Sequence, residues 1–327
     1  MNGKFVISLD FELHWGLFDL KTVSQYQENL ENTPKALKSI VDLSNQYNIR
    51  LTVATVGFLF AKNKKELTFY TPNLKPSYSN GILNAYSLFE QIGFDEKDDP
   101  YHYANSLLEQ LKKDKRHEIG THTFCHYYCN EPDQTINEFE ADLKSAVNIA
   151  KSKGVVLKSI VFPRNQVNQN YLNILYSYGI TSYRGTENST IYKSNSYLPV
   201  IMGRGLRLMD SYINLFGYFT YPLKDLKSFQ DNCVNLPSSR FLRPYNISLK
   251  FLESLKIMRI KKAMTHAAKN GHLYHLWWHP HNFGVNFREN MRNLEMIYNH
   301  FDFLKSKYNF KSETMESLSS EIFNNSN

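Results

Sequence analysis

The stretch KFVISLDFE, residues 4–12, decides how the rest of the chain is interpreted. Residues 4–9 are rich in β-branched and aromatic side chains and predict a buried first strand, which continues directly into Asp10, Phe11 and Glu12. Since alternate residues of a strand share a face, we expect the two carboxylates to point the same way while Phe11 packs into the core. Two buried acids at a strand end are costly unless a cation lies between them, so the stretch predicts a functional site.

Strands and helices alternate over most of the chain, which is the pattern of a parallel sheet. Short apolar runs predict further strands at residues 51–56, 117–121, 159–162, 180–183 and 273–278. Amphipathic or well-capped stretches predict helices that begin at Thr33 and that span residues 104–113, 134–153, 171–178, 249–270 and 287–307. Residues 62–100 are polar and irregular, and we interpret them as an insertion over the mouth of a barrel, with a short helix near residues 83–92.

The bulk composition is that of a folded protein. The 327 residues are 42% hydrophobic and 21% charged, so the chain can bury a sizeable core. The net charge of +7 favours an anionic partner, but no nucleic-acid-binding motif accompanies it, and solvated lysines explain the excess. Three cysteines cannot form a disulfide framework and indicate a reducing compartment. With no signal peptide and no apolar run of membrane-spanning length, we predict a cytoplasmic protein, and a peripheral role at the inner face of a membrane stays open.

A second stretch, EIGTHTFCHYY at residues 118–128, carries His122 and His126. On a helical turn, two imidazoles at this spacing lie on one side and can reach the same ion. Neutral imidazole is a common metal ligand, and two of them lack only an oxygen ligand and a water to form a hydrolytic site. The motif is short, so ordinary loop or surface histidines are the competing interpretation unless the rest of the chain supplies the missing groups.

Two other metal sites compete for the same histidines. Cys125 and Cys129 would join them in one helical stripe, and four such donors suit a closed structural zinc site. Ligands from one continuous helix cannot surround an ion tetrahedrally, which argues against that site. A zinc-protease motif needs Glu directly after the first histidine, and Thr123 occupies that position.

Acidic and basic side chains recur where the predicted strands end, which is where α/β proteins place their active sites. Glu12 would supply the oxygen that completes a metal site with the two histidines. Asp10 is then placed to take a proton from water, and His279 to donate one to the departing group. Arg164 would pair with the Asp10 carboxylate and tune its pKa, while Arg184 ends another strand.

Four further side chains are assigned to substrate binding, namely Trp15, Trp277, Arg184 and His281. Alternation along the last strand turns one of its two adjacent tryptophans towards the pocket. His281 also competes with His279 for the role of the acid, since one proline separates them.

Together these segments resemble the polysaccharide deacetylases of the NodB-homology type, carbohydrate esterase family four. HTFCH at residues 122–126 matches the His-Ser/Thr-x-x-His metal motif of that family in full. SLDFE at residues 8–12 is similar to its first motif, ATVGFLF at 54–60 to its second strand, and LWWHPHN at 276–282 to its last motif in the version with His-Pro. The resemblance covers about residues 4–310. It implies an α/β protein with a deformed (β/α)7 barrel, as a single domain over residues 1–327 with the insertion near residues 62–100.

The resemblance also implies a function and the roles of the site residues. Asp10 would be the catalytic base and His279 the acid, with a divalent ion, zinc in first place, held by Glu12, His122 and His126. The implied activity is removal of an N- or O-acyl group, acetyl above all, from a carbohydrate. Because the protein is predicted to be cytoplasmic, the expected substrate is a surface-glycan precursor linked to a nucleotide or a lipid.

The chain departs from the family pattern at three places. The first motif most often has two adjacent aspartates, whereas Phe11 separates the acids here. The arginine-rich third motif is present only as FPRN at residues 162–165, and Arg184 is the candidate for the fourth. These departures keep open a glycan-binding or scaffolding member without turnover. Branches of this family also include deformylases acting on lipid-linked sugars, which are a second alternative. The two-histidine motif argues against the branch that hydrolyses amide rings without metal, and the basic helix at residues 249–270 is a weaker candidate for nucleic-acid binding.

Overall fold

The structure is a computed structural model that describes residues 2–189, 191–192, 200–226 and 233–326. Its strands are β1 (Lys4–Phe11), β2 (Thr52–Thr55), β3 (Glu118–Thr121), β4 (Ser159–Ile160), β5 (Ser182–Tyr183), β6 (Tyr221–Pro222), β7 (Val234–Asn235), β8 (Arg240–Phe241), β9 (His272–Trp278) and β10 (Lys311–Glu313). Its helices are α1 (Val23–Glu31), α2 (Thr33–Gln46), α3 (Lys64–Tyr70), α4 (Asn105–Leu111), α5 (Ile136–Ser152), α6 (Leu172–Ser177), α7 (Val200–Asp210), α8 (Glu253–Asn270), α9 (Phe287–Tyr308) and α10 (Met315–Ser326).

Strand β1 is the centre of the sheet, and all eight of its residues are buried. Two parallel neighbours flank it, with β2 beside its second half and β9 beside its first six residues. The sheet continues through β3, β4 and β5, each parallel to the strand before it. Because the carboxyl ends of these strands point the same way, the side chains that follow them collect at one rim of the sheet.

The segment from β7 to β8 joins the two edges of this sheet. The N–H of Leu236 donates to the carbonyl of Tyr183 in β5 at 2.9 Å, and the N–H of Leu242 donates to Trp277 in β9 at 2.8 Å. Strand β7 is parallel to β5, and β8 is parallel to β9. Counted as one position, this segment closes a deformed barrel of seven strands, which confirms the predicted fold class.

Helix α10 and strand β10 lie at the end of the barrel opposite the rim. Met315, Leu318 and Ile322 of α10 pack against Val6 and Leu273 in the barrel interior. Strand β10 pairs in parallel with the first residues of β1. The core therefore includes residues beyond 310, where the family resemblance ends.

Helix α5 shows why the clearest helices could be predicted closely. Thr135 and Glu138 form a capping box, in which each side chain accepts the backbone N–H of the other residue. Within residues 62–100, in contrast, the predicted short helix at 83–92 is wrong, since short 3₁₀ turns occupy Gly81–Leu83 and Ala85–Leu88. None of the helices in the described ranges is long and apolar enough to cross a lipid bilayer.

Candidate active site

Five of the predicted site residues meet at the rim of the barrel. The Oε2 atom of Glu12 lies 3.3 Å from Nε2 of His122 and 3.1 Å from Nε2 of His126. Nε2 of His279 lies 3.5 Å from the other Glu12 oxygen and 3.8 Å from Oδ2 of Asp10. Asp10 and Glu12 are only 3% exposed, so their charges are held away from bulk water by the barrel wall.

The two histidines sit on a loop after β3, and the predicted helical turn is wrong. Thr123 and His126 have φ angles of 64° and 61°, which a right-handed helix does not allow. Backbone pairing holds the loop open, because the N–H groups of Gly57 and Phe58 donate to its carbonyls at 2.8 and 3.0 Å. A side chain at Gly57 would collide with Phe124, so glycine permits this close approach. The imidazoles still face each other, with ring centroids 5.0 Å apart.

The tautomer of His122 indicates that a cation belongs between the three side chains. Its Nδ1–H donates to the carbonyl of Val161 at 2.8 Å, so in the neutral ring the Nε2 lone pair points at the Glu12 carboxylate. Two electron-pair donors facing each other repel unless a cation separates them. A carboxylate oxygen and two imidazole nitrogens are also a donor set that suits zinc and similar ions. The site therefore fits a divalent metal, although Nδ1 of buried His126 has no hydrogen-bond partner among the described residues.

Opposing effects set the ionisation of Glu12. Burial alone would raise its pKa, but the charge of His279 and the close contacts with the rings of His122 and His126 outweigh burial and hold the pKa well below its usual range. Glu12 is therefore an anion at neutral pH, as a metal ligand must be.

The rival zinc site with two cysteines does not form. Cys125 and Cys129 are buried, and neither belongs to the group of side chains close enough to share an ion. Burial, reinforced by the charge of Asp142, raises the pKa of both thiols well above the usual value, so they stay protonated. Protonated thiols are poor metal ligands.

Asp142 of α5 fixes the histidine loop from behind. Its carboxylate accepts the N–H of Phe124 at 2.7 Å and the N–H of Cys125 at 3.0 Å. Burial raises the pKa of Asp142 to about 6 despite these hydrogen bonds. One buried carboxylate thus satisfies two backbone groups between the two histidines.

We expect the Asp142→Asn variant to gain stability relative to the wild type as the pH rises. The folded-state pKa of about 6 lies above the ordinary 3.8, so folding takes up a proton between these values and the stabilisation is lost as the pH rises through 6. Asparagine does not titrate. The difference in unfolding free energy between the two proteins should therefore change by about 2 kcal/mol between about pH 4 and about pH 7.5 in urea titrations. A difference that is independent of pH would contradict the raised pKa of Asp142 in the folded protein.

Asp10 pairs with Arg184, and the predicted pairing with Arg164 is wrong. The Arg184 guanidinium donates to both carboxylate oxygens, at 2.6 and 2.8 Å. Arg164 instead forms an ion pair with Asp19 and lies over the ring of Tyr128. It sits in a 3₁₀ turn with a φ of 53°, and that turn directs its side chain away from Asp10. Burial raises the pKa of Asp10, but the charge and hydrogen bonds of Arg184 outweigh this, so the pKa is lowered.

The predicted role of Arg184 in substrate binding is wrong as well. Its side chain is fully buried, and besides Asp10 it donates to Ser8 and Asn165, each at 2.9 Å. Ser8 in turn donates to Nε2 of His275 at 2.9 Å, and Nδ1–H of that ring donates to a backbone carbonyl. Burial lowers the pKa of His275 to about 3, so this ring is neutral, and within the network only Nε of Arg184 has no hydrogen-bond partner among the described residues.

A hydrogen-bond chain orients His279. The Tyr26 hydroxyl donates to Oδ1 of Asn282 at 3.1 Å, which directs the amide nitrogen to Nδ1 of His279 at 3.3 Å. Burial, followed by the charge of Glu12, raises the pKa of Tyr26 to about 12, so its hydroxyl keeps the proton that it donates. With Nδ1 as acceptor, the neutral ring of His279 carries its proton on Nε2, which faces the two carboxylates. Release of the Nε2 proton requires the imidazolium form, in which the Asn282 amide presents its oxygen to Nδ1–H.

Of the remaining residues predicted to bind substrate, two are buried and one is half-buried at the site. Trp15 is fully buried, donates to the backbone of His102 and packs against Phe58, so its assignment to substrate binding is wrong. His281 is also wrong, because it is buried and stacks beneath His279 at 5.0 Å. Trp277 is half-buried and covers both Arg184 and His279. Of the two tryptophans in β9, it is the one that faces the site.

The site also contains residues that the sequence reasoning missed. Asn165 and Asn282 each follow an assigned site residue closely in sequence, and both belonged to the quoted segments FPRN and LWWHPHN. Tyr26 and Asp142 lie on helices, where periodicity predicts only packing. No sequence signal marked these two residues.

Several solved structures have folds similar to that of this chain. The structure is similar to that of a protein described as a polysaccharide deacetylase from Mycobacterium smegmatis, with a TM-score of 0.61, 11% identity and coverage of 99% of this chain and 91% of that chain. A second protein so described, from Pseudomonas aeruginosa PAO1, has a TM-score of 0.52, 10% identity and coverage of 97% and 89%. The 4-alpha-glucanotransferase from Thermococcus litoralis has a TM-score of 0.55 and 10% identity, and 98% of this chain aligns with 40% of that chain.

These similarities confirm the fold that the sequence resemblance implied. No protein-family model and no curated protein sequence matches the chain. Deacetylases and a glucanotransferase share the fold, so the chemistry has to be argued from the site itself.

Proposed function

We propose that the chain is a metal-dependent hydrolase that removes an N- or O-acyl group, acetyl above all, from a carbohydrate. The observation that carries the proposal is the position of Asp10 and His279 beside the donor set of Glu12, His122 and His126. A base and an acid next to a metal site are what acyl-group hydrolysis requires, and here the base is buried and the acid half-buried.

The three ligands would hold a divalent ion, and zinc is the ion that their chemistry favours. When bound, such an ion polarises the acyl carbonyl and lowers the pKa of water in the site. Every other part of the reaction falls to side chains of this chain.

Asp10 takes a proton from water as the water oxygen bonds to the acyl carbon. Its lowered pKa keeps it ionised at neutral pH, and Arg184 fixes its orientation. His279, as an imidazolium, gives its Nε2 proton to the leaving nitrogen or oxygen as the bond from that atom to the acyl carbon breaks. The products are a carboxylic acid, which ionises in solvent, and a deacylated sugar, and the proton on Asp10 then passes to His279, which restores the starting state.

The substrate we propose is a glycan precursor inside the cell, carried on a nucleotide or a lipid. The net charge of +7 supports a phosphate-bearing carrier, and three buried cysteine thiols are compatible with a reducing compartment. The half-buried ring of Trp277 beside His279 offers an apolar face on which a sugar can stack.

Acetate release tests the proposal directly. Purified protein loaded with zinc is incubated with an N-acetylated nucleotide sugar and with an N-acetylated sugar on a polyprenyl phosphate, and free acetate is measured. The proposal predicts turnover of at least one of these substrates. Bound metal without acyl release from either class would overturn it in favour of a glycan-binding protein, and formate release from a formylated analogue alone would favour the deformylase.

Replacing His279 by glutamine should lower kcat by about two to four orders of magnitude, because the leaving group loses its proton donor. Glutamine keeps a polar side chain of similar length, so we expect the metal content to stay unchanged. His281→Gln is the matched control, since that ring is buried, stacks against His279 and lies outside the metal donor group. Equal loss in both variants would contradict the assignment of His279 as the acid.

A further inference from the structure

A large apolar surface lies outside the candidate active site. Twenty large hydrophobic side chains are exposed among the described residues, and ten of them fall in two short segments, residues 202–216 and 247–258. The ten are Met202, Leu208, Met209, Ile213, Leu215, Phe216, Ile247, Phe251, Leu255 and Met258. Phe251 is 71% exposed and Ile247 is 67% exposed, and exposed apolar patches rimmed by polar residues mark sites of contact with proteins or membranes.

The two segments form one surface, which we call the apolar rim surface. The guanidinium of Arg259 donates to the carbonyl of Gly217, and the ring of Tyr218 lies 5.1 Å from it. Arg243 donates to Ser211 at 2.8 Å, which ties the segment before α8 to the end of α7. Contacts at both places hold the two segments next to each other.

The exposed charged side chains of these two segments are all positive. The only acidic residues in segments 200–217 and 243–262 are Asp210 and Glu253, and both are buried in ion pairs, with Arg240 and Lys256 respectively. The exposed charges are those of Arg204, Lys250 and Lys262. The surface thus combines apolar side chains with a cationic border.

The surface belongs to the same end of the barrel as the candidate site. Helix α8 ends at Gly271, directly before β9 begins, so its first turns lie towards the rim where β9 ends. The N–H of Tyr245 donates at 2.6 Å to Asn290, in the first turn of α9 after the His279 loop. Whatever binds the apolar rim surface is therefore brought near the site.

We propose that the apolar rim surface binds the interface of an anionic lipid bilayer. Methionine, leucine and phenylalanine side chains beside lysine and arginine are the composition that inserts into the headgroup region and is held by acidic lipids. A second copy of the chain would bring the same positive charges against this surface. The two segments expose no carboxylate that could pair with those charges. Binding there would present the rim to lipid-linked molecules.

Flotation with lipid vesicles tests this inference, and it does not depend on the proposed hydrolysis. The full chain is mixed with vesicles of one part phosphatidylglycerol to three parts phosphatidylcholine, and the bound fraction is measured. The Ile247→Ser/Phe251→Ser double variant should bind at least about tenfold more weakly, since two inserted side chains are lost. Replacing Lys250 and Lys262 by glutamine should weaken binding by about fivefold per charge. The wild type should also bind more weakly to vesicles of phosphatidylcholine alone, because these carry no anionic lipid.

Phe303→Ser is the matched control. Phe303 is 51% exposed on α9 near the opposite end of the barrel, so its loss should leave vesicle binding unchanged. Failure of the wild type to bind, or equal loss in the double variant and the control, would overturn the inference. So would a stable dimer in sedimentation that dissociates in the double variant without any vesicle binding, because a second copy would then cover the surface.

Discussion

The Asp10→Asn variant should release acetate about two to four orders of magnitude more slowly than the wild type, at unchanged metal content. Asparagine is isosteric with aspartate but cannot take a proton from water. The variant keeps one oxygen for Arg184, so the site stays assembled, although the buried guanidinium loses its counter-charge and one acceptor, which lowers the thermal midpoint. Initial rates with saturating acetylated sugar, measured well below that midpoint, give the comparison.

Asp19→Asn is the control for this variant. Asp19 is also buried and also pairs with an arginine near the rim, Arg164, but that pair is separate from the Asp10–Arg184 pair. We expect its kcat to stay close to that of the wild type. An equal loss of kcat in the two variants would mean that the rim needs both buried carboxylates for its structure. It would then contradict the assignment of Asp10 as the catalytic base.

Removing the Arg184 guanidinium should have the largest effect on stability. The Arg184→Met variant leaves Asp10 buried without its partner, and Ser8 and Asn165 each lose a donor. Breaking a buried ion pair in this way costs about 3–5 kcal/mol. Urea unfolding measures the loss, and activity should fall with it because Asp10 is no longer oriented.

Arg164→Met distinguishes the two arginines. Its side chain is 33% exposed, and the pair with Asp19 borders solvent, so we expect a loss of only about 0–1 kcal/mol. A larger loss of unfolding free energy in Arg164→Met than in Arg184→Met would support the predicted pairing of Asp10 with Arg164. Similar losses would indicate that neither arginine is specific to the base.

The strand ends could be predicted because they depend on local pattern. Apolar runs such as residues 4–9 end where acidic residues begin, and parallel strands bring their carboxyl ends together whatever the loops do. The placement of Asp10, Glu12 and His279 at one rim follows from that rule alone.

Loop geometry and long-range pairing could not be predicted in the same way. The spacing of His122 and His126 suits a helix, but backbone contacts from Gly57 and the buried carboxylate of Asp142 impose a loop. Both Arg164 and Arg184 follow strands, and the backbone conformation after each strand decides which one reaches Asp10.

Trp15 illustrates a third kind of error. A tryptophan near an acidic pair suggests a sugar platform, yet the indole N–H of Trp15 donates to a backbone carbonyl in the core. Only tertiary packing separates it from Trp277, which faces the site. Burial of individual side chains depends on elements far away in the sequence, here residues 58 and 102.

Elemental analysis of the purified chain tests the central claim, that Glu12, His122 and His126 hold a divalent ion. We predict one ion per wild-type chain, its loss in His122→Ala, and its retention in Cys125→Ser, because that thiol lies outside the donor group. Acetate release should disappear together with the ion. Metal content that is unchanged in His122→Ala would contradict the account.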